Sequence, residues 1–382
     1  MNKLVPELRI SEFKDYWEIK KLRDLVHYEN GKAHEKDIVE NGSYIVVNSK
    51  FISSDGQVLK YTNNANLLAS KDDILMVLSD VPNGRAIAKC LHVDEDNTYT
   101  VNQRICKLRT KGVNSKYLYY LLNRNKYFLD FDDGVKQTNL KKDDVLNCPL
   151  PIPNSAEEQL KVADFLTSLD CLILANVKKM ELLISHKTGL MQSIFPEEGK
   201  TVPEFRFSRF YNDWKKKPLS KLFTIGSGKD HKHLGDGDIP VYGSGGYMRS
   251  VNDYLYEGKS ACIGRKGTIN RPMLLEGKFW TVDTLFYTHS FKNCIPEFVY
   301  LLFQNIDWLK LNEAGGVPSL SKVIINKIEV LVPEVEEQQK IVDCIFSVDS
   351  LIKSQSYKIE LLELYKKGLM QRLFPNFKGC DK

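Results

Sequence analysis

The side chains best placed to do chemistry in this sequence are cations and amides in glycine-bearing loops. The run KKKPLSKLFTIGSGKDHKH carries Lys215, Lys216, Lys217, Lys221, Lys229 and Lys232 against one acid, Asp230. GSGGYMRS (Gly243 to Ser250) and IGRKGTINR (Ile263 to Arg271) follow it. Earlier, SDVPNGRAIAK and VNQRICKLRTK place Asn83, Arg85, Lys89, Asn102, Gln103, Arg104, Lys107, Arg109 and Lys111 near strand ends. Lysine and arginine neutralise phosphates. Arginine, lysine, asparagine and glutamine can read base edges in a major groove, and glycine lets a backbone come close to a ligand. The chemistry these loops suit is recognition of a polyanion. Candidate DNA contacts are Asn83, Arg85, Lys89, Gln103, Arg104 and Lys107 in the first region. In the second they are Lys229, His231, Lys232, Tyr242, Ser244, Tyr247, Arg249, Arg265, Lys266 and Arg271.

Catalytic signatures are missing. The Gly199–Lys200 and Gly258–Lys259 pairs lack the earlier glycine of a phosphate-binding loop. No N-P-P-Y/F or D-P-P-Y/F run of an amino-methyltransferase occurs. His231 and His233 have no cysteine or carboxylate at metal-ligand spacing and read as a polar surface pair, so no metal is expected. GSGGY is not the G-x-S-x-G elbow, so Ser244 is no nucleophile. Three classes stay open on the residues: a non-catalytic DNA reader and scaffold, an enzyme with an unfamiliar site, and a protein–protein adaptor that never touches nucleic acid.

The bulk numbers agree with a soluble protein of about two to three domains. Of 382 residues, 42% are hydrophobic and 27% charged, with a net charge of +5. The cysteines 90, 106, 148, 171, 262, 294, 344 and 380 show no CxxC spacing, which fits scattered core thiols in a reducing interior. No apolar run reaches the ~20 residues of a membrane span, and MNKLVPELRISEFKDYWEIK has no signal-peptide core. A cytoplasmic location is expected.

What must position the loops is a repeated frame. ELLISHKTGLMQSIFP (Glu181 to Pro196) lies over ELLELYKKGLMQRLFP (Glu360 to Pro375) at an offset of 179, as EEQLKVADFLTSLD (Glu157 to Asp170) does over EEQQKIVDCIFSVD (Glu336 to Asp349). LKKDDVLNCPLPIP (Leu140 to Pro153) matches LSKVIINKIEVLVP (Leu320 to Pro333) at 180, and VPELRISEFKDYW (Val5 to Trp17) matches VPEFRFSRFYNDW (Val202 to Trp214) at 197. Between these blocks the two halves share no convincing similarity. A tandem duplication thus keeps one scaffold around two different inserts.

Each frame ends in a long helix. Pro153 and Pro333 stop the preceding strand, Ser155 and Glu158 have capping-box spacing, and acids fill the first turn. Each helix should run roughly 35 to 40 residues, about 55 to 60 Å. Val162, Leu166, Leu169, Ile173, Val177, Met180, Ile184, Met191 and Ile194 form a stripe with coiled-coil steps, and Ile341, Ile345, Val348, Ile352, Ile359, Met370 and Leu373 form a second. Stripes this long are best buried against each other. Antiparallel packing would make a dumbbell with a pseudo-twofold axis, and the N-terminal segment is placed to dock where the second helix ends. Each insert reads as strand-rich, with SYIVVNSKFI, DILMVLS and SACIGRKGTI as strand-like runs, followed by one helix, Ser115–Asp130 or Pro296–Leu309.

The marks LPIPNSAEEQ and VLVPEVEEQQKIV, the twin KxGLMQxxFP endings, and IPVYGSGGY with IGRKGTI and FWTVDTLFY together resemble the specificity subunit of type I restriction-modification enzymes. The resemblance covers essentially the whole chain. It implies an α+β protein in which two α/β target recognition domains are joined by two long helices packed as an antiparallel coiled coil, a pseudo-twofold tandem repeat. The expected boundaries are an N-terminal segment at 1–16, recognition domains at 17–153 and 197–333, spacer helices at 154–196 and 334–376, and a tail at 377–382. Each recognition domain would read one half of a bipartite asymmetric site in duplex DNA, and the helices would set the half-site spacing. The frame would dock two methylation subunits, with Glu157, Glu158, Gln159, Met191, Gln192, Glu337, Gln338, Met370 and Gln371 as docking candidates. No catalytic residue and no cofactor belongs to this chain on that reading. S-adenosylmethionine, ATP and magnesium would belong to partner methylation and motor-nuclease subunits that methylate adenine and cut DNA. A stand-alone DNA-binding or adaptor scaffold is the alternative.

Overall fold

The computed structural model describes residues 4–82 and 84–375. The tail and Asn83 lie outside the described residues. The chain divides into two compact units, one holding the described residues up to 175 and from 359 on, the other holding 176–358. Each unit therefore takes in a length of both long helices rather than leaving them as separate spacers.

The first unit opens with Glu18–Lys21 paired antiparallel to Pro149–Ile152. Prolines are tolerated in that short pair because each strand has only one partner. A four-stranded sheet follows in the order Val26–Asn30, Ile105–Thr110, Ile74–Val77, Cys90–His92. A second sheet runs Ile38–Val39, Tyr61–Thr62, Tyr44–Val47, Tyr99–Val101, its last pair parallel.

The second unit repeats the wiring of the first sheet and the parallel pair of the second. Lys215–Pro218 pairs with Glu329–Val332. One sheet is ordered Thr224–Ser227, Leu285–His289, Ser260–Gly264, Met273–Leu275, and the other Gly246–Val251, Ile239–Gly243, Lys278–Thr281, Tyr256–Glu257. Its central pair is again parallel. Four backbone bonds at the strand ends correspond. Gly31 N–H donates to Ile105 O and Gly228 N–H to Leu285 O; Lys32 donates to Val101 O and Lys229 to Thr281 O. Leu78 donates to Arg104 O and Arg265 to Thr284 O; Leu140 donates to Leu78 O and Leu320 to Arg265 O. The two glycines explain part of this. A Cβ on Gly31 would stand 1.9 Å from Asn102 O, and one on Gly228 would stand 1.9 Å from Val282 O. The chain crosses between its two sheets there, and only glycine passes.

Three local expectations need correction. SYIVVNSKFI is not one strand: after Tyr44–Val47, the Asn48 side chain accepts the Phe51 N–H at 2.9 Å and starts a short helix, Ser49–Ser53. The helix expected over Ser115–Asp130 is two, Ser115–Leu122 and Lys126–Leu129, broken where Arg124 takes φ +57. In the second unit, Pro296–Asn305 ends before a separate turn, Trp308–Leu311, whose indole is buried.

The long helices are Ala156–Ile194 and Val335–Leu373, 39 residues each. In the first unit Val162, Leu166 and Leu169 share a core with Leu369 and Leu373, and Lys366 pairs with Asp170. In the second, Met191 and Ile194 share a core with Ile341, Val342 and Ile345, and Lys187 pairs with Asp349 at 2.6 Å. Numbers rise along one helix as their partners fall along the other, so the pairing within each unit is antiparallel. At offset 179 the two ion pairs are repeat equivalents. Asn176 and Gln355 are equivalents that meet each other: Gln355 Nε2 donates to Asn176 Oδ1 at 2.9 Å, and both side chains are buried. Ile184, counted in the apolar stripe, is instead 46% exposed.

Candidate nucleic-acid interface

The repeated Glu-Glu-Gln motif is the joint on which each unit is hung. Glu158 is 1% exposed and accepts from Arg9 Nε at 2.7 Å, Arg9 Nη2 at 2.8 Å and Trp17 Nε1 at 3.1 Å. Glu337 repeats this with Arg206 Nε at 2.8 Å, Arg206 Nη2 at 2.9 Å and Trp214 Nε1 at 3.3 Å. Hydrogen bonding to the carboxylates holds both guanidinium groups above their usual pKa. Gln159 accepts the Asn114 N–H and donates to Pro153 O, both at 2.9 Å. Gln338 accepts the Ile295 N–H at 3.1 Å and donates to Pro333 O at 2.9 Å. The motif ties the N-terminal segment, the insert helix and the strand-ending proline to the first turn of each long helix. Ser155 Oγ does accept the Glu158 N–H at 3.2 Å, but the carboxylate turns to Arg9 and Trp17, so only one arm of a capping box forms.

These contacts correct the placement of four docking candidates. Glu158, Gln159, Glu337 and Gln338 are buried and committed inside their units. Met191 is also buried and Met370 half-buried, whereas Glu157, Gln192 and Gln371 are exposed. Around the joint, Trp17, Tyr117 and Phe374 pack edge to face in one unit, and Trp214, Phe298 and Phe195 cluster in the other. The Leu8 N–H donates to Arg372 O, and the Phe205 N–H to Ser193 O.

In the second insert, Arg265 and Lys266 line a cavity of about 610 Å³ with Asp283, Phe286, Glu313, Ser319 and Lys322. The loop is pinned: Gly267 N–H donates to Pro318 O at 2.9 Å, and Leu320 N–H to Arg265 O at 2.9 Å. Gly267 sits at φ +89, and a Cβ there would stand 3.2 Å from Ser244 Oγ, so Ser244 joins this group. The rings of Tyr242 and Tyr247 meet edge to face at 6.2 Å. Arg249 is partly spent: its Nη2 donates to Leu234 O at 3.0 Å and lies 3.6 Å from Asp236. Lys229 is exposed with its backbone pinned to Thr281, Lys232 and Arg271 are exposed, and His231 is half-buried. Lys322 is the residue that sequence reading missed. Its offset-180 match, Lys142, was the available signal.

In the first insert, Gln103 and Arg104 are exposed beside a cavity of about 340 Å³ shared with Lys50, Lys60 and Asn102. Gln103 donates to Glu35 at 3.0 Å. Arg85 is exposed on a loop wrapped around the Asp80 carboxylate, which accepts the Ala86 N–H at 2.6 Å and the Ile87 N–H at 3.0 Å. Lys89 is tied to Asp55 at 2.7 Å. Lys107 is misplaced by the sequence reading. It is 7% exposed, pairs with Glu29 at 2.7 Å and donates to Leu68 O, because its strand is covered on both faces. Arg109 is held bidentately by buried Asp73 and Asn102 is buried; Lys111 is exposed.

Among the described residues the one histidine–serine–carboxylate contact is not a hydrolytic arrangement. His92 Nε2 meets Ser115 Oγ at 2.9 Å and Asp72 Oδ1 at 3.5 Å, but Asp72 faces the same ring nitrogen as the hydroxyl, so it cannot hold the imidazole as a general base. Burial lowers this histidine's pKa. Among the described residues no three His, Cys, Asp or Glu side chains converge as metal ligands, and no helix is long and apolar enough to cross a membrane.

The chain matches the type I restriction modification DNA specificity domain family at residues 14–183 and again at 211–364. It is 23% identical to the type I restriction enzyme MjaVIII specificity subunit of Methanocaldococcus jannaschii, over 94% of this chain and 92% of that one. A putative type I restriction enzyme MjaX specificity subunit from the same organism is 22% identical, over 95% and 94%. In fold it is similar to the crystal structure of a type I restriction-modification S subunit from M. genitalium, with a TM-score of 0.65 at 18% identity, covering 98% of this chain and all of that one (100%). With both halves matched by one domain family and both built on one wiring, the chain belongs to the type I restriction-modification DNA specificity family and has the tandem-domain architecture of a specificity subunit.

Proposed function

We propose that this chain is the non-catalytic sequence reader of a type I restriction-modification complex, each insert reading one half of a bipartite, asymmetric duplex site. The observation that carries the reading is the contrast between the halves: matching backbone bonds at the strand ends with different residues at corresponding loop positions. Exposed Arg265 and Lys266 in one insert stand where buried Leu78 and Ser79 stand in the other, as their shared hydrogen bonds show. One scaffold offering two different hydrogen-bonding surfaces suits two different half-sites.

The long helices set the gap between half-sites and dock two methylation subunits. Exposed apolar residues at repeat-equivalent positions support the docking role: Leu172 with Leu351, and Leu182 with Leu361, are 46 to 63% exposed. Such residues are what a partner surface leaves uncovered in the free chain. S-adenosylmethionine, ATP and magnesium act in the partner subunits, which methylate adenine and cut DNA. Methylation by a partner requires the target base to be flipped out of the duplex.

The test is to insert residues into the helix segment 181–194 and map the sites methylated by the assembled complex. The half-site sequences should stay fixed while their spacing changes. Unchanged spacing overturns the ruler role, and methyl transfer by the chain alone overturns the non-catalytic reading.

A further inference from the structure

One lysine of the frame recurs beside each insert. Lys142 and Lys322 occupy the same place in the offset-180 repeat, two residues after Leu140 and Leu320. Those leucines donate backbone bonds to Leu78 O and Arg265 O, at the strand-end loops that carry the candidate reading residues. Each lysine is seated over an aromatic ring, Lys142 Nζ 5.5 Å from the Tyr28 centroid and Lys322 Nζ 5.7 Å from that of Phe286. Some frame lysines are neutralised, Lys216 by Glu329, Lys161 by Glu12 and Lys20 by Glu18. No carboxylate of the described residues pairs with Lys142 or Lys322.

We propose that Lys142 and Lys322 are paired backbone-phosphate anchors, one per repeat, that hold DNA independently of its sequence. The proposal rests on the DNA-reading function above. A ring face orients an ammonium group without cancelling its charge, which keeps it available for a phosphate. Asp283 and Glu313 line the cavity beside Lys322, yet Arg265 and Lys266 line it too. Burial, and then the charge of Arg265, depresses the Lys322 pKa; a phosphate would relieve that crowding. Target specificity can change by replacing an insert, while these anchors stay with the scaffold. That explains why a lysine recurs here although the loops around it do not.

The experiment titrates a random-sequence duplex against the intact chain at several salt concentrations, for wild type, K142M, K322M, the double variant, and K142R/K322R. Each methionine should reduce the slope of log affinity against log salt by about 0.9, so that the loss of affinity between about 50 and 200 mM salt shrinks roughly 3.5-fold per lysine. Arginine should restore the slope, and the sequence methylated by the complex assembled with each variant should be unchanged. An unchanged slope in the double methionine variant, with wild type binding normally, overturns the proposal alone. A changed target sequence also overturns it, because the contact would then read bases. If the wild-type chain shows no salt-dependent binding, the DNA-reading function beneath it fails.

Discussion

Replacing Arg9 with methionine tests whether the Glu-Glu-Gln motif is an internal joint. The Glu158 side chain is 2% exposed and its guanidinium partner 11%, so neither is a surface ion. The substitution deletes two charge-assisted bonds, at 2.7 and 2.8 Å, and leaves the carboxylate with only the Trp17 indole N–H. Stranding a buried charge costs about 3–5 kcal/mol, a large part of the ~5–15 kcal/mol that holds a domain together. Removing both charges, as Arg9→Met with Glu158→Met, should recover part of this and leave about 1–3 kcal/mol for the orphaned indole. The assay is hydrogen exchange on the paired strands Glu18–Lys21 and Pro149–Ile152, with Lys215–Pro218 and Glu329–Val332 as the internal control. Exchange in the first pair should quicken by roughly 100-fold or more, since every 1.4 kcal/mol is about tenfold, and the control should not move. A single-variant cost under about 1 kcal/mol, the range of a surface pair, refutes the reasoning. So does a double variant no better than the single.

Three further outcomes follow from the same structure. A Cβ at Gly189 or Gly368 would meet nothing within 4 Å, so Gly→Ala at each should raise stability by roughly 0.5–1 kcal/mol in urea unfolding; a loss would mean that the glycines serve the fold. Asn176→Leu removes one of two acceptors of the Gln355 amide, which keeps its bond to the Asn176 backbone O at 3.0 Å, and should cost about 0.5–1.5 kcal/mol; losses that simply add with those of Gln355→Leu would show that the two side chains do not interact. Burial holds the folded-state pKa of His92 below its usual 6.5. The unfolded chain then binds more protons just below that pH, so this contribution is present above about pH 6.5 and lost as pH falls. His92→Gln should flatten the fall in urea midpoint between about pH 7 and pH 5.5, and an undiminished fall would contradict the assignment.

The frame was legible because it is written twice. Its helices, their length and their seam follow from repeated blocks free of interrupting proline and from apolar steps of three and four. Which residues of a motif face inward was not legible. Glu157 and Glu158 are adjacent carboxylates, one exposed and pairing with Lys161, the other buried on Arg9. Only the long-range contact separates them. The inserts hid their kinship because it lives in backbone hydrogen bonds, which constrain side-chain identity weakly. One trace survives in sequence, Gly-Lys-x-His at Gly31 to His34 and at Gly228 to His231. Even there the histidines diverge: His34 is fully buried and bonded to Thr100, whereas His231 is half-buried. Lys107 misled because its strand is covered on both faces, Ile105 to Leu108 all being buried, while Arg265 and Lys266 lie exposed at a strand end.

The measurement that bears most directly on the central claim is a genome-wide map of modified bases in cells with and without this chain. Two domains of one wiring and different loop chemistry predict a single bipartite motif, two unlike half-sites at a fixed gap, that disappears when the chain is removed. A continuous or palindromic motif, or a map unchanged by its removal, would contradict the account.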